Sequence, residues 1–475
     1  MKNMQPQKQY EIGMIGLGVM GRNFVLNIAG HGFSVAGYDT DKDKVDALRN
    51  EAAQCDICGS ENIPDFIALL RVPRAIILLV PAGAPVDSVI KDLLPHLNKG
   101  DLIIDGGNSY FKDTDVRIRT LASKGIHFLG VGVSGGEEGA RHGPSIMPGG
   151  PKGAYERVRP VFEAVAAKVN GESCVTWLGP GSAGHFVKMV HNGIEYGMMQ
   201  LIAETYDLMK RGLGLNDNEM HDIYSGWNKG ELNSYLVEIT SHIFFKKDEK
   251  TGKRFVDEIL DVAKQKGTGM WTSQSAMELQ VPIPTIDIAV SMRDLSVFVK
   301  EREQADLLYQ QSLQPFTTER KTFLVQLGRA FYTAMIMTYA QGFALLRVAS
   351  DKYKYQLDLE AVTRIWRGGC IIRAALLEDI QAAYHMQHDL PNLLLAPGIS
   401  QKVMAYQEDL HRVVCQASGA RVPIPGLMVS LGYLDAYRSA WLPANLIQAQ
   451  RDYFGAHTYE RVDGKGTFHT EWQKE

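Results

Sequence analysis

Short apolar runs that end at polar breakers dominate the first third of the chain. Their length and their content of Val, Ile and Leu predict buried β-strands, at residues 12–15, 34–39, 75–80 and 102–104. A helical pattern over residues 23–29 follows the first run. Strand, helix and strand in succession need a crossover connection, and this requires parallel pairing. The sequence therefore predicts an α/β domain built on a parallel sheet.

The pattern changes near residue 184, where glycine becomes rarer and long helical periodicities begin. Three of these stretches contain no proline and predict helices, at residues 186–210, 329–350 and 371–384. We expect a mainly helical domain over residues 184–440, after a first domain over residues 1–183.

Parts of the helical region resemble each other at an offset of about 140 residues. The string around Trp227 resembles the string around Trp366, and the string after Tyr196 resembles the one after Tyr339. Chance matching of short strings and a duplicated helical unit both stay open as explanations. In a duplication, four other residues of the second copy replace the polar set Lys188, His191, Asn192 and Glu195, namely Phe331, Ala334, Met335 and Thr338. Only the first copy would then keep the chemistry.

The last segment, residues 441–475, is polar and aromatic and is interrupted by Gly464 and Gly466. It contains too many aromatic residues for a disordered tail and is too short to fold alone. We expect it to pack on something else, and a second subunit is one candidate.

Composition excludes several classes of protein. The 475 residues carry a net charge of −4, whereas a chain-wide nucleic-acid surface needs a basic excess. The apolar runs are too short to span a membrane, and the polar N-terminus lacks the apolar core of a secretory signal. Five cysteines are too few for a disulfide scaffold, so we expect a reducing, cytoplasmic location.

A glycine-rich string follows the first predicted strand and opens a helix. It reads Gly16-Leu17-Gly18-Val19-Met20-Gly21, and this context is the one that a dinucleotide-binding fingerprint requires. The alternative is a glycine-rich turn in an unrelated α/β domain. Asp39 ends the second strand, where a carboxylate accepts hydrogen bonds from ribose hydroxyls and repels a 2′-phosphate. Its alternative role is that of a turn or helix-capping aspartate.

Two further strings end strands at the carboxyl edge of the sheet, where ligands bind in open α/β folds. One contains Asn108 after Asp105-Gly106-Gly107, and the other is Ser134-Gly135-Gly136. A hydroxyl and exposed backbone N–H groups suit a carboxylate or a polyol. The same residues would also serve in a plain strand-to-helix turn.

Four polar residues share one stripe of a predicted helix, because Lys188, His191, Asn192 and Glu195 follow a helical spacing. A lysine out of water has a lowered pKa and can act as a base, and the glutamate could act as the acid. The alternative is a solvated charge stripe. Apolar neighbours on both sides predict instead that this face is buried.

Isolated strings elsewhere carry little information. Lys266 lies beside glycines, and Arg451 and His457 lie among aromatic residues, so each could hold a phosphate. Cys55-x-x-Cys58 has no second pair, which favours incidental thiols over a metal site. We expect no metal.

Together these strings resemble the decarboxylating 6-phosphogluconate dehydrogenase family of the pentose phosphate pathway, known also from gluconate utilization. The resemblance runs from Ile12 to Trp472 and includes near-verbatim stretches at 132–140, 184–197, 267–272 and 442–459. It implies a Rossmann domain, a large duplicated all-α domain, and a short tail that reaches into the partner's site in a homodimer. It further implies oxidation and decarboxylation of 6-phosphogluconate to ribulose 5-phosphate with hydride transfer to a nicotinamide cofactor.

The resemblance also implies roles for residues of this chain. Lys188 matches the general base and Glu195 the general acid. Substrate-contacting positions of the family match Asn108, Ser134, Gly135, Gly136, His191, Asn192 and Tyr196. The phosphate side of the substrate matches Lys266 and Arg293, and the tail residues that complete the partner's site match Arg451 and His457. Cofactor positions match residues 16–21, 39–41, 80–82 and Asn108.

Three departures from the family pattern stand out. Most members have Asn-Arg-Thr after the second strand, where the arginine holds the 2′-phosphate of NADP, but here the string is Asp39-Thr40-Asp41. The usual Val-Lys-Ala-Gly is Val80-Pro81-Ala82-Gly83, which removes another cation. These changes predict NAD as the preferred cofactor, with Lys44 leaving room for some NADP binding. Met198 stands where aspartate is usual, and the sequence gives no functional reason for it.

Two rival functions fit the same fold. A non-catalytic dinucleotide-binding member need not keep both Lys188 and Glu195. A related β-hydroxyacid dehydrogenase acting on another substrate would not need the phosphate-side set of Lys266, Arg293, Arg451 and His457.

Overall fold

The computed structural model describes residues 8–52, 55–310 and 312–474. The first part of the chain forms a seven-stranded sheet in the order β3-β2-β1-β4-β5-β6-β7, in which β7 alone runs antiparallel to its neighbour. Its strands are β1 Ile12–Ile15, β2 Val35–Tyr38, β3 Ile57–Ser60, β4 Ala75–Leu78, β5 Leu102–Asp105, β6 His127–Ser134 and β7 Ser145–Gly149. The predicted α/β class and the parallel pairing of the four apolar runs are confirmed.

Helices pack on this sheet, and those between parallel strands form crossover connections. They are α1 Val19–Gly30, α2 Lys42–Glu51, α3 Ile63–Ala68, α4 Ala84–Leu93, α5 Phe111–Ala122, α6 Gly136–His142 and α7 Lys152–Val165. The predicted helix over 23–29 starts earlier, at Val19, directly after the glycine string. Strands β1, β4 and β5 are buried along their whole length, as strands covered on both faces must be. A two-stranded hairpin, β8 Lys168–Val169 and β9 Glu172–Ser173, follows α7.

The rest of the chain is helical up to the tail. Its helices are α8 Ala183–Asp207, α9 Asp217–Trp227, α10 Tyr235–Ile243, α11 Thr268–Glu278, α12 Pro284–Ser296, α13 Val299–Tyr309, α14 Arg320–Tyr353, α15 Leu359–Trp366, α16 Leu376–Met386, α17 Pro397–Ala420 and α18 Pro425–Tyr437. The predicted helix over 371–384 was wrong at its start, because α16 begins at Leu376. The residues before it form a turn in which Ala374 bridges to Ser234, a pairing distant in sequence.

The two longest helices, α8 and α14, pack against each other through glycines. A Cβ atom on Gly197 would lie 2.6 Å from Cγ2 of Thr338, and one on Gly342 would lie 2.5 Å from Cδ1 of Ile194. Both helices therefore approach more closely than larger residues allow. α9 ends at Trp227 and α15 ends at Trp366, which fits the duplicated helical unit.

The tail forms a helix, α19 Ala444–Gly455, and a short hairpin, β10 Tyr459–Glu460 and β11 Thr467–Phe468. Its own polar centre is the buried carboxylate of Asp452, which accepts hydrogen bonds from the backbone N–H groups of Thr458 and Thr470 and from Nε1 of Trp472. Burial alone would raise the pKa of Asp452, but these bonds and the nearby His469 hold it below its usual range. None of the helices in the described residues combines the length and the hydropathy that a membrane span requires.

Candidate functional site

The glycine string forms an open cradle at the end of β1. Gly16 has φ +95°, and a Cβ on it would lie 2.4 Å from the carbonyl oxygen of Leu79. A Cβ on Gly21 would lie 1.8 Å from the carbonyl oxygen of Gly16, so only glycine allows this packing of helix on strand. Above Gly18 there is open space, and no side chain caps the N-terminus of α1. The free N–H groups and the space fit the pyrophosphate of a dinucleotide.

Asp39 lies beside this cradle at the end of β2. Its carboxylate accepts hydrogen bonds from the backbone N–H of Leu17 at 2.7 Å and of Asp41 at 2.9 Å. The ammonium group of Lys44 lies 3.6 Å from Asp39 and 3.4 Å from Asp41, and Thr40 is exposed between the two acids. Two carboxylates therefore share one cation here.

Two more loops reach the same edge of the sheet. Residues 80–82, which are Val80, Pro81 and Ala82, follow β4 and lead into α4, and Asn108 follows β5 with an exposed side chain. The buried carboxylate of Asp105 holds the second loop through Gly107 N–H at 3.1 Å and Ser109 Oγ at 2.7 Å. The structure thus brings Asn108 to the edge where the glycine cradle opens.

The predicted polar stripe of α8 is buried, as the sequence indicated. Nζ of Lys188 donates to Oδ1 of Asn192 at 2.6 Å, and Nδ1 of His191 lies 3.0 Å from the same oxygen. Nδ1 of His191 is also 4.0 Å from the carboxylate of Glu195, which is partly exposed. A Cβ on Gly132 would lie 2.4 Å from Cβ of Lys188, so strand β6 presses directly on the lysine.

The hydrogen bonds fix the protonation pattern of this cluster. Oδ1 of Asn192 can only accept, so Nδ1 of His191 carries a proton and Nε2 accepts from Oγ of Ser134 at 3.2 Å. Burial and the charge of Lys188 lower the pKa of His191 well below its usual value, which keeps the ring neutral.

Burial also shifts the pKa values of the two candidate acid–base groups, Lys188 and Glu195. It lowers the pKa of Lys188, although the negative charge of Glu195 opposes this shift. It raises the pKa of Glu195, against the opposing effects of Lys188 and Arg293. A lysine that is easily neutral and a glutamic acid that is easily protonated are what a general base and a general acid need.

The loop at the end of β6 closes one side of the cluster. Ser134 is buried, and Gly135 has φ +121° with no room for a side chain, because a Cβ would lie 2.5 Å from the carbonyl oxygen of Gly369. Gly136 is exposed and has open space around it. The contact with Gly369 comes from the second half of the helical domain, and no sequence signal predicted it.

Arg293 of α12 completes the other side. Its guanidinium carbon lies 3.5 Å above the ring of Tyr196. Lys266 is exposed in the loop that precedes α11, next to the buried Thr268, whose Oγ1 accepts from Nδ2 of Asn192 at 3.2 Å. Sequence reasoning named the string around Thr268 but missed this residue, which fixes the orientation of the Asn192 amide.

Two predicted residues lie apart from this cluster. Arg451 is exposed on α19 and hydrogen-bonds Gln448 at 3.1 Å, and His457 is exposed beside the ring of Phe454. Within residues 8–52, 55–310 and 312–474, no hydrogen bond or ion pair joins either residue to the cluster around Lys188.

Met198 points away from the site. It is buried in the main apolar core of the helical domain with 1% of its surface exposed. Packing therefore accounts for the apolar side chain at this position.

Comparison with known proteins agrees with this arrangement. Residues 11–179 match the profile described as the NAD binding domain of 6-phosphogluconate dehydrogenase, and residues 184–472 match the C-terminal domain of that enzyme. The NADP(+)-dependent decarboxylating 6-phosphogluconate dehydrogenase of Bacillus subtilis is 52% identical over 465 residues, covering 98% of this chain and 99% of the relative. The decarboxylating enzyme of Synechococcus elongatus is 50% identical over 466 residues, covering 97% and 99%.

A solved structure has the same fold throughout. The 6-phosphogluconate dehydrogenase of Plasmodium falciparum, studied in its apo form and with NADP+ or 6-phosphogluconate, superposes with a TM-score of 0.94 at 42% identity. The match covers 97% of this chain and 100% of that one. Full-length identity of this degree, on the same two domains, shows that the chain belongs to the 6-phosphogluconate dehydrogenase family.

Proposed function

We propose that this chain oxidises and decarboxylates 6-phospho-D-gluconate to D-ribulose 5-phosphate and CO2, with a nicotinamide cofactor as hydride acceptor. The observation that carries the proposal is the buried pair of Lys188 and Asn192, joined at 2.6 Å. His191, which contacts Asn192 at 3.0 Å, links this pair to Ser134 at 3.2 Å and lies 4.0 Å from Glu195. The full-length similarity to enzymes named for this reaction supports it.

Lys188 is the base of the first step. Its lowered pKa makes the neutral amine accessible, and the amine takes the proton of the substrate's C3 hydroxyl. The bound nicotinamide supplies a hydride acceptor for C3. Protonated Lys188 then stabilises the developing enolate oxygen as CO2 leaves from the 3-keto acid. The keto group is itself the electron sink for decarboxylation.

Glu195 is the acid of the last step. Burial raises its pKa, which favours the protonated carboxyl group, and this group gives its proton to C1 of the enediol. His191 and Ser134 contribute neutral hydrogen bonds to the substrate's hydroxyl groups, and Asn192 keeps the Lys188 amine oriented. On the phosphate side, Lys266 and Arg293 supply positive charge, the latter fixed in place by its stacking on Tyr196.

We further propose that NAD is preferred over NADP. The relative from Bacillus subtilis is named as NADP(+)-dependent, so this proposal depends on this chain's own residues. Lys44, the basic group beside the site, lies between the carboxylates of Asp39 and Asp41, and this trio carries a net negative charge. A 2′-phosphate meets that charge, whereas ribose hydroxyls can donate to it.

A homodimer with exchanged tails is the proposed assembly. Helices α11, α12 and α13, with the turn between the last two, expose apolar side chains that a monomer would leave in water. These include Met277, Leu295, Phe298, Leu307, Leu308 and Tyr309. The tail helix α19 likewise exposes Leu446, Tyr453 and Phe454. A partner that covers these faces could receive Arg451 and His457 beside its Lys188 cluster.

All five cysteines are free thiols, which suits the cytoplasm as the proposed location.

The purified chain should convert 6-phosphogluconate with equal yields of reduced cofactor, CO2 and ribulose 5-phosphate. Reduced cofactor without CO2 would exclude decarboxylation. Faster turnover of an unphosphorylated β-hydroxy acid than of 6-phosphogluconate would favour the related dehydrogenase instead, and absence of turnover with bound cofactor would favour a non-catalytic member.

A further inference from the structure

A buried polar network lies between the cofactor side of the sheet and the helix that carries Lys188. Its centre is α5, whose residues Thr114 and Arg117 are buried one turn apart on one face. Arg117 is 5% exposed, and a buried arginine needs several partners to offset its lost hydration.

Arg117 makes three contacts with both cofactor-side loops. Its Nε donates to the carboxylate of Asp87 at 2.7 Å, and Nη2 donates to the carbonyl oxygen of Gly83 at 3.1 Å, at the start of α4. Its Nη1 lies 3.4 Å from the carboxylate of Asp105, which in turn holds Gly107. One guanidinium therefore ties the loop after β4 to the loop that presents Asn108.

His185 links the same centre to α8. Its Nε2 donates to the carbonyl oxygen of Asp105 at 3.0 Å, which can only accept. Nδ1 therefore accepts from the hydroxyl of Thr114, 2.6 Å away. The ring is fully buried and lies one turn before Lys188 on α8. A Cβ on Gly130 would lie 2.8 Å from Nδ1, so the ring packs directly against the backbone of β6 at a position where only glycine leaves space for it.

We propose that Arg117 and His185 are positioning residues that hold the cofactor-side loops in register with the helix that carries Lys188. The proposal rests on the proposed function, because hydride transfer requires the nicotinamide and substrate C3 to meet at a fixed distance. The cofactor-side loops set the position of the nicotinamide, and α8 sets the position of C3 of the substrate. Misplacement by a fraction of an ångström costs rate while both ligands still bind.

Two pairs of variants test the roles of Arg117 and His185 independently. Arg117→Lys keeps the charge but cannot reach three partners, and Arg119→Met, an exposed change on the same helix, is its control. His185→Gln keeps an N–H near the Nε2 position, whereas His185→Leu keeps neither polar contact. Binding of NADH is measured by fluorescence, activity by kcat and KM, and hydride transfer by the isotope effect of C3-deuterated substrate.

Arg117→Lys is expected to weaken NADH binding by about tenfold with an unchanged KM for 6-phosphogluconate, and His185→Leu to lower kcat by about tenfold with both affinities kept. The isotope effect should rise in His185→Leu, and His185→Gln should restore most of the rate. If His185→Leu does not fold, Thr114→Val, which removes the hydroxyl that donates to Nδ1 of His185, takes its place. An unchanged kcat and isotope effect in Thr114→Val, together with unchanged NADH binding in Arg117→Lys, overturns the proposal. Equal losses in both KM values overturn it as well. A parent chain that binds NADH without turning over 6-phosphogluconate refutes the proposed function instead, and the NADH-binding comparison still tests Arg117.

Discussion

The carboxylate of Asp39 accepts a hydrogen bond from the backbone N–H of Leu17, which is the second residue of the glycine string. This bond fixes the carboxylate at the mouth of the cradle, with only 10% of its side chain exposed. A fixed charge discriminates between cofactors better than a mobile one, because it cannot turn away from a 2′-phosphate.

The proposed preference for NAD over NADP rests on this charge. Two like charges a few ångströms apart cost on the order of several kcal/mol at an effective dielectric near 20, before screening. Lys44 offsets part of that cost. We expect the parent chain to prefer NAD by at least about tenfold in kcat/KM, or roughly 1.4 kcal/mol.

A double change tests the residues responsible. Asp39→Asn with Thr40→Arg removes the repulsion and adds a guanidinium fork, so kcat/KM should shift towards NADP. The single change Thr40→Arg should shift it less. A parent chain that prefers NADP would show that another cation holds the phosphate.

The glycine cradle offers a matched pair of substitutions. Gly18 has open space around it and φ −61°, which alanine adopts freely, so Gly18→Ala should leave the midpoint of thermal unfolding unchanged. The added methyl group points where the pyrophosphate is expected, so the Kd for NADH should rise about tenfold or more.

Gly21→Ala should behave differently, because its Cβ would lie 1.8 Å from a backbone oxygen. We expect it to lower the free energy of unfolding by about 1–3 kcal/mol, measured by urea denaturation without ligand. Equal stability of the two variants would contradict this account of the cradle.

Lys188→Met should abolish both oxidation and decarboxylation, because no other group near C3 replaces the base. The variant should still fold and bind NADH. Activity within about tenfold of the parent would exclude Lys188 as the base.

The pH dependence of the free energy of unfolding also depends on Lys188, because the lysine pKa is lower in the folded chain than in the unfolded one. The parent then gains stability relative to Lys188→Met as pH rises towards 10.5.

The pH dependence of kcat/KM should have a limb from each acid–base group. Activity rises with pH as Lys188 loses its proton, with a midpoint below the usual lysine value because burial lowers this pKa. Activity falls with pH as Glu195 loses its proton, with a midpoint above the usual glutamate value because burial raises that pKa. Glu195→Gln should remove the falling limb and cost about 10²–10⁴-fold in rate. A falling limb that survives in Glu195→Gln belongs to another group.

The sequence predicted those features whose residues lie close together along the chain, and it missed contacts between residues that are distant in sequence. The glycine string and the stripe from Lys188 to Glu195 each lie within one turn or one helix, so spacing alone placed them. Thr268 and Gly369 contact the same cluster from distant elements, and local pattern carries no record of such contacts. The start of α16 was misplaced for the same reason, since a bridge to Ser234 outweighs helical propensity there.

Subunit complementation tests the proposed tail exchange directly. Arg451→Ala should leave every site of a homodimer without its tail arginine, and Lys188→Met leaves every site without its base, so each variant alone should be inactive. In a mixed dimer, the Arg451→Ala subunit keeps Lys188 and receives an intact tail from the Lys188→Met subunit. If chains pair at random, about a quarter of the parent activity should return after the two are denatured together and refolded. Mixing Lys188→Met with Glu195→Gln is the control, because both changes lie in the same helix and no exchange of tails can repair either site. If the Arg451→Ala homodimer keeps full activity, or if the mixture with Lys188→Met stays inactive, then the tail does not complete the partner's site.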